Sequence, residues 1–180
     1  MPALFHFSRK PASFLLALFA FAGLLLAIPE SPALAQEAAP VQEISGRINP
    51  GEIDVFVLSG LQRGQKLYVT LGTTSGNLDP ALALVPATVD LPSLISGYRA
   101  ELQQILETAE QPLAELPALN DTTFLAWDDD SGPGYSSALE FTVPRDGDYI
   151  LGVQGALSSA GRVTYGGYRL LFGLDAPEVL

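Results

Sequence analysis

Asp128, Asp129 and Asp130 stand on consecutive residues and run into the small-residue turn Ser131-Gly132-Pro133-Gly134. Like charges this close repel by roughly 1 kcal/mol per pair in water, and by more where solvent is excluded. Two environments offset the repulsion: a hard cation with oxygen ligands, of which Ca²⁺ is the natural choice, or a solvated loop whose carboxylates accept from nearby backbone amides. Ca²⁺ takes about six to eight oxygens, so the loop needs help from elsewhere. Asn77 and Asp79, from the turn Ser75-Gly76-Asn77-Leu78-Asp79, are the first candidates, with Asp54 and Glu140 as possible additions. In an extended segment Asp128 and Asp130 share a side while Asp129 points away. The run is not an EF-hand loop, because Gly132 occupies a position that should be Asp or Asn. The candidate metal set is therefore Asn77, Asp79, Asp128, Asp129 and Asp130, with Ca²⁺ as the ion.

Other chemistries are poorly supplied. Asp130-Ser131-Gly132 matches the Asp-Ser-Gly of aspartic proteases, but those enzymes need two such aspartates sharing a proton, and no second copy exists. A carboxylate-based hydrolase is the remote alternative, since nothing in the spacing places two acids across a cleft. The chain has no cysteine and one histidine, His6, in a segment expected to be removed. Thiol catalysis, Ser-His-Asp relays and thiolate or histidine zinc sites are thereby excluded from the mature chain. Tyr135 and Tyr165 lie in glycine-rich loops and are the candidates for stacking on a ligand, while Trp127 and Tyr168 fall in strand patterns and read as core.

The elements that must position these residues begin after residue 35. His6, Arg9 and Lys10 form a basic start, Phe14 to Ile28 is apolar, and Ala33-Leu34-Ala35 is a small-x-small cleavage pattern. Residues 1–35 are thus expected to be a signal peptide. The apolar run is shorter than the roughly 20 residues that span a bilayer, so no membrane insertion is expected after cleavage. Removing Arg9, Lys10 and Glu30 takes the balance from 9 basic against 20 acidic residues to 7 against 19. That charge disfavours nucleic acid and favours cations. Residues 36–42 read as a flexible leader.

From Glu43 onward the pattern is β. Ile44–Ile48, Ile53–Leu58, Lys66–Leu71, Ala81–Val85, Thr123–Trp127, Ser137–Val143, Tyr149–Val153 and Tyr168–Phe172 are strand-length apolar or alternating runs. Asn49-Pro50-Gly51-Glu52, Arg145-Asp146-Gly147-Asp148 and other turn formers separate them. One stretch breaks the pattern: Leu91, Leu94, Ile95, Tyr98, Leu102, Ile105, Leu106, Ala109 and Leu113 recur at spacings of three and four, predicting an amphipathic helix over about 91–113 that lays its apolar stripe on the sheets. The fold class is all-β, a jelly-roll-like β-sandwich of about eight strands with one inserted helix. Residues 174–180 read as a tail or linker.

Several segments together resemble the bacterial pre-peptidase C-terminal (PPC) domain family. They are Gly51-Glu52-Ile53-Asp54-Val55-Phe56, Ser75-Gly76-Asn77-Leu78-Asp79-Pro80-Ala81-Leu82-Ala83-Leu84 and Asp128-Asp129-Asp130-Ser131-Gly132, followed by Tyr135 to Leu139, Pro144 to Tyr149 and Gly167 to Leu170. The resemblance covers residues 43–173. It implies a secreted, non-catalytic jelly-roll-like domain that accompanies other extracellular domains, with Ca²⁺ and polymer binding in some members. The helix replaces what is usually a short hairpin, and no catalytic domain is expected within these 180 residues. The expected function is a secreted binding or accessory module in the periplasm or outside the cell, engaging an envelope or extracellular protein or a polysaccharide. The alternative is the metal-free outer portion of a larger envelope or sensor protein.

Overall fold

The computed structural model describes residues 41–134, 136–158 and 161–180; the expected signal peptide, most of the leader and Tyr135 lie outside the described residues. Eight strands form two four-stranded antiparallel sheets. In chain order they are β1 (Gln42–Ile48), β2 (Ile53–Leu61), β3 (Lys66–Gly76), β4 (Pro80–Pro86), β5 (Ala126–Asp128), β6 (Ser137–Thr142), β7 (Gly147–Gly155) and β8 (Gly166–Leu174). One sheet has the order β1-β8-β3-β6 and the other β2-β7-β4-β5. The all-β sandwich expected from the alternating pattern is what forms.

The period of two decides which side chains meet between the sheets. Ile48, Leu67, Val69, Leu71, Leu139 and Leu170 come from the first sheet; Leu58, Leu82, Leu84, Tyr149, Leu151 and Val153 come from the second, and all are buried. At the β1–β2 edge Tyr168 reaches across the gap, and its hydroxyl donates to Asp54 Oδ2 at 2.6 Å. Burial, and then that carboxylate, push the phenol's pKa well above its usual range. The Tyr168 ring fills the space where residue 46 would carry a Cβ, so only glycine fits at Gly46. Asp54 therefore ties the two sheets together, and on β2 it stands at the opposite edge of its sheet from Asp128 on β5.

Between β4 and β5 the structure holds two helices, α1 (Leu91–Thr108) and α2 (Pro112–Thr123). The expected single helix to residue 113 stops earlier because Ala109 is extended, at φ −79° and ψ 142°. Pro112 then starts a new helix, where its missing N–H costs nothing. Leu116 and Leu119 continue a spacing of three, and Leu119 is buried. Thr123, expected in a strand, closes α2 instead. No residue of α1 is fully buried. Its stripe packs mainly on α2, through Tyr98 against Phe124 with ring centroids 5.2 Å apart and Tyr98 Oη donating to Asn120 Oδ1 at 2.9 Å.

Residues 174–180, expected as a tail or linker, close over the outer face of β3 and β8. Asp175 N donates to Lys66 O at 2.7 Å, and Lys66 N donates to Asp175 Oδ1 at 3.0 Å. A 3-10 turn over Pro177–Val179 follows; Ala176 and Val179 pack against Tyr68 and Leu171. Thr70 Oγ1 donates to Val179 O at 2.7 Å, fixing the end of the segment.

Candidate functional site

Strand order alone brings the turn before β4 to the same end of the sandwich as the loop after β5, because β4 and β5 are antiparallel neighbours with Leu82 opposite Asp128. Asp79 enters through a knot around Thr164. Its amide donates to Thr164 Oγ1 at 2.9 Å, its carbonyl accepts from Ala156 N at 2.7 Å, and Thr164 N donates to Ala156 O at 3.1 Å. Its carboxyl atom Oδ1 is buried and finds no hydrogen-bond partner. Burial, then the charges of Asp130 and Asp129, raise the Asp79 pKa. Asp129 is raised for the same kinds of reason: burial first, then Asp130 and Asp128.

Asp128 has a different job. Its Oδ2 accepts from Ala138 N at 2.7 Å and from Ser131 N at 3.2 Å, so this carboxylate folds the loop back onto β6. Ser131 Oγ completes the arrangement by donating to Ala138 O at 2.8 Å. Gly132 sits so close under Ser136 that a side chain there would collide with its backbone carbonyl and hydroxyl. Asp130 is exposed. Asn77 is exposed as well, and its amide donates to Tyr165 O at 3.2 Å. The structure thus brings Asp79, Asp129 and Asp130 within electrostatic reach of one another, gives Asp128 to the backbone, and leaves Asn77 on the turn above. Among the described residues no group of three or more acidic side chains is gathered tightly enough to hold a metal by itself. Glu140, a possible further ligand, instead pairs with Lys66 Nζ at 2.7 Å.

Of the stacking candidates, Tyr165 is 42% exposed beside Asn77, and Tyr135 is outside the described residues. Tyr98 is turned into the helix pair, and its phenol pKa is raised by burial and then by the charge of Asp129.

One concavity was not expected from the sequence. An open groove of about 300 Å³ runs between β5 and β6, the outermost strands of the two sheets, and is lined by Asp121, Phe124, Leu125, Trp127, Leu139 and Glu140, with Ala126 and Ala138 between them. Trp127 Nε1 donates to Asp121 Oδ1 at 2.8 Å, and Leu125 is 45% exposed. Two carboxylates thus line one groove, the arrangement a hydrolase would need. Both are solvent-exposed and both are already bonded, Asp121 to an indole N–H and Glu140 to an ammonium. A general acid for glycoside cleavage has to be a desolvated carboxyl, and both of these face solvent. The signal in the sequence was Leu125 just before, and Trp127 within, a three-residue strand, masked by the missed second helix that supplies Asp121.

No family model and no curated protein matches this chain. Solved structures overlap it loosely. PliG of Aeromonas hydrophila, a periplasmic inhibitor of g-type lysozyme, is similar at 15% identity and a TM-score of 0.47, over 79% of this chain and 92% of that one. The pre-peptidase C-terminal domain of a Bacillus anthracis collagenase is similar at 12% identity and a TM-score of 0.41, over 73% of this chain and 87% of that one. PliG of Salmonella Typhimurium stands at 13% identity and a TM-score of 0.40, over 74% and 90%. Overlaps this loose assign neither a family nor a role, and the PPC resemblance rests on the sequence segments that carry it. No helix among the described residues is long and apolar enough to cross a membrane.

Proposed function

We propose that this protein is an exported, non-catalytic binding module that engages a protein partner. The observation that carries the reading is the groove between β5 and β6: it is open to solvent, it carries exposed apolar surface at Leu125, and its two carboxylates are spent on hydrogen bonds. The lack of cysteine and the single histidine at position 6 support a role without proton-relay or thiol chemistry. Incubating the purified protein with peptidoglycan, chitin oligomers and casein tests it: no turnover is expected, and turnover lost in Glu140→Gln would establish the carboxylate hydrolase instead.

A second reading concerns Ca²⁺. Asp79 Oδ1 is buried without a donor, and Asp129 and Asp130 add negative charge beside it. A cation at that point would satisfy the oxygen and cancel the repulsion, with carbonyls and water completing the coordination. Two or three carboxylates without a closed cage fit a weak, roughly millimolar site of the extracellular kind. Its role would be to rigidify the loops. A thermal midpoint that rises with millimolar Ca²⁺ and falls back with chelator is expected; an unchanged midpoint together with silent calorimetry removes the ion from the account.

A further inference from the structure

The backbone of β6 carries information that its side chains do not. Val143 N donates to Gln65 O at 2.9 Å and Val143 O accepts from Gly64 N at 2.8 Å, so both its groups point toward the β3 side. In an antiparallel ladder this direction alternates along the strand. Ala138 fits the other parity, since its amide and carbonyl meet Asp128 and Ser131 on the groove side. Glu140 and Thr142 share that parity, and they direct their amides and carbonyls away from β3, at the outer edge of the sheet.

Such an edge is normally blunted by lysine, proline, a bulge or a covering segment. β6 has none of the first two over Ser137–Thr142, and its register with β3 runs without a shift. Among the described residues, the acidic loop bonds to this edge at Ala138. The facing edge strand, β5, has three residues and leaves the groove open. Charge sets what can enter. Asp121 and Glu140 line the groove and Asp128 to Asp130 stand at its end, while the cation on this edge is Lys66, held by Glu140. A second copy of this chain is a poor occupant, because edge-to-edge pairing of β6 would set Glu140 against its own symmetry mate on a protein of formal charge −11.

We infer that the free edge of β6 accepts an extended basic segment of a partner protein, which adds as a further strand and sets arginine or lysine side chains against Asp121 and Glu140. This deepens the binding-module reading and rests on it. Main-chain hydrogen bonds to Glu140 and Thr142 supply the pairing, alternate side chains of the guest descend onto Leu125 and Trp127, and the incoming cation competes with Lys66 for Glu140.

The probe is a capped ten-residue alternating Arg-Val peptide titrated into the full chain as exported and followed by amide and indole NMR shifts. The controls are the same peptide N-methylated on every valine, an arginine oligomer of equal charge, and an N-acetylglucosamine tetramer. The expected result is shifts concentrated at Glu140, Thr142 and the Trp127 indole, at least tenfold weaker binding by the N-methylated peptide and by the arginine oligomer, and affinity that falls with added salt. Asp121→Lys/Glu140→Lys, with its thermal midpoint checked, is expected to bind at least tenfold more weakly; Asp121→Asn/Glu140→Gln is expected to lose less. Equal binding by the N-methylated peptide, shifts elsewhere, or shifts caused by the glycan and not the peptide would overturn the inference. A natural partner held equally by wild type and the charge-reversed variant overturns the β6 edge and leaves the module standing, whereas cleavage of either probe overturns the module itself.

Discussion

Replacing Asp79 by asparagine is expected to stabilise the protein at neutral pH. A buried acceptor left without a donor costs about 1–3 kcal/mol and more when it is charged, and asparagine, which keeps an unpaired polar atom there, removes only the extra cost of the charge, itself of that order. The carboxyl is only partly withdrawn from water, so screening takes its contribution to the low end of that range, about 1 kcal/mol. Asp79→Asn removes the charge that burial, Asp130 and Asp129 all oppose, and it leaves the Thr164 knot intact because that knot uses only backbone atoms of residue 79. For a domain of this size 1 kcal/mol corresponds to a midpoint rise of about 3–5 °C. The pH dependence carries the sign independently. A carboxyl whose folded pKa is raised binds its proton more readily folded than unfolded, so wild-type stability is lower above the folded pKa, grows as pH falls through it, and levels off below the unfolded value near about 3.9. Asp129 acts in the same direction. Thermal unfolding in chelator, stepped downward from pH 7, should show a shallower rise for Asp79→Asn than for wild type. Under added Ca²⁺ the order should reverse, since wild type alone gains. A variant less stable than wild type at pH 7 in chelator would refute the claim that this carboxylate is held at a cost.

Two further substitutions probe the frame. Gly46→Ala would push a methyl group into the Tyr168 ring and displace the hydroxyl from Asp54, so a loss of about 2–3 kcal/mol is expected by denaturant unfolding, most of it recovered when Tyr168 is shortened to leucine in the same chain. Ending the chain after Leu174 uncovers Tyr68 and Leu171 and strips the Thr70 hydroxyl of its acceptor; a midpoint lower by several degrees is expected, and an unchanged midpoint would mean that the 3-10 turn is ornamental to stability.

All the strands but β5 were legible because turn chemistry leaves the chain little choice, as at Asn49 to Glu52 and Arg145 to Asp148, and because alternation in segments such as Lys66 to Leu71 fixes which face is buried. What escaped depended on partners distant in sequence. Ala176 and Val179 stand in a short ending without strand alternation or helical spacing, and their burial needs Tyr68 and Leu171 on the outer face of a sheet. The second helix escaped because Pro112 and Pro117 punctuate its spacing, and the groove residue Asp121 went with it. At the acidic loop the composition showed three equivalent carboxylates. Their division of labour, with Asp128 given to Ala138 and Ser131 while Asp130 and Asp129 bear electrostatically on Asp79, arises from backbone direction at the end of β5, which residue types do not encode.

The pairing of the first strand with the last has a mechanical consequence. Gln42 lies opposite Phe172 and Ile48 opposite Gly166, so the chain enters and leaves the sandwich at the same corner. Tension applied through the two flanks would load the β1–β8 bonds one after another, as a zipper opens, instead of shearing all seven registered pairs at once. The tail turn over Pro177–Val179 would yield first, then β1 would peel away and take Gly46 from beneath Tyr168. Anchored at both sides, this domain would lengthen under small forces; held by one flank alone, it would leave that seam unstressed.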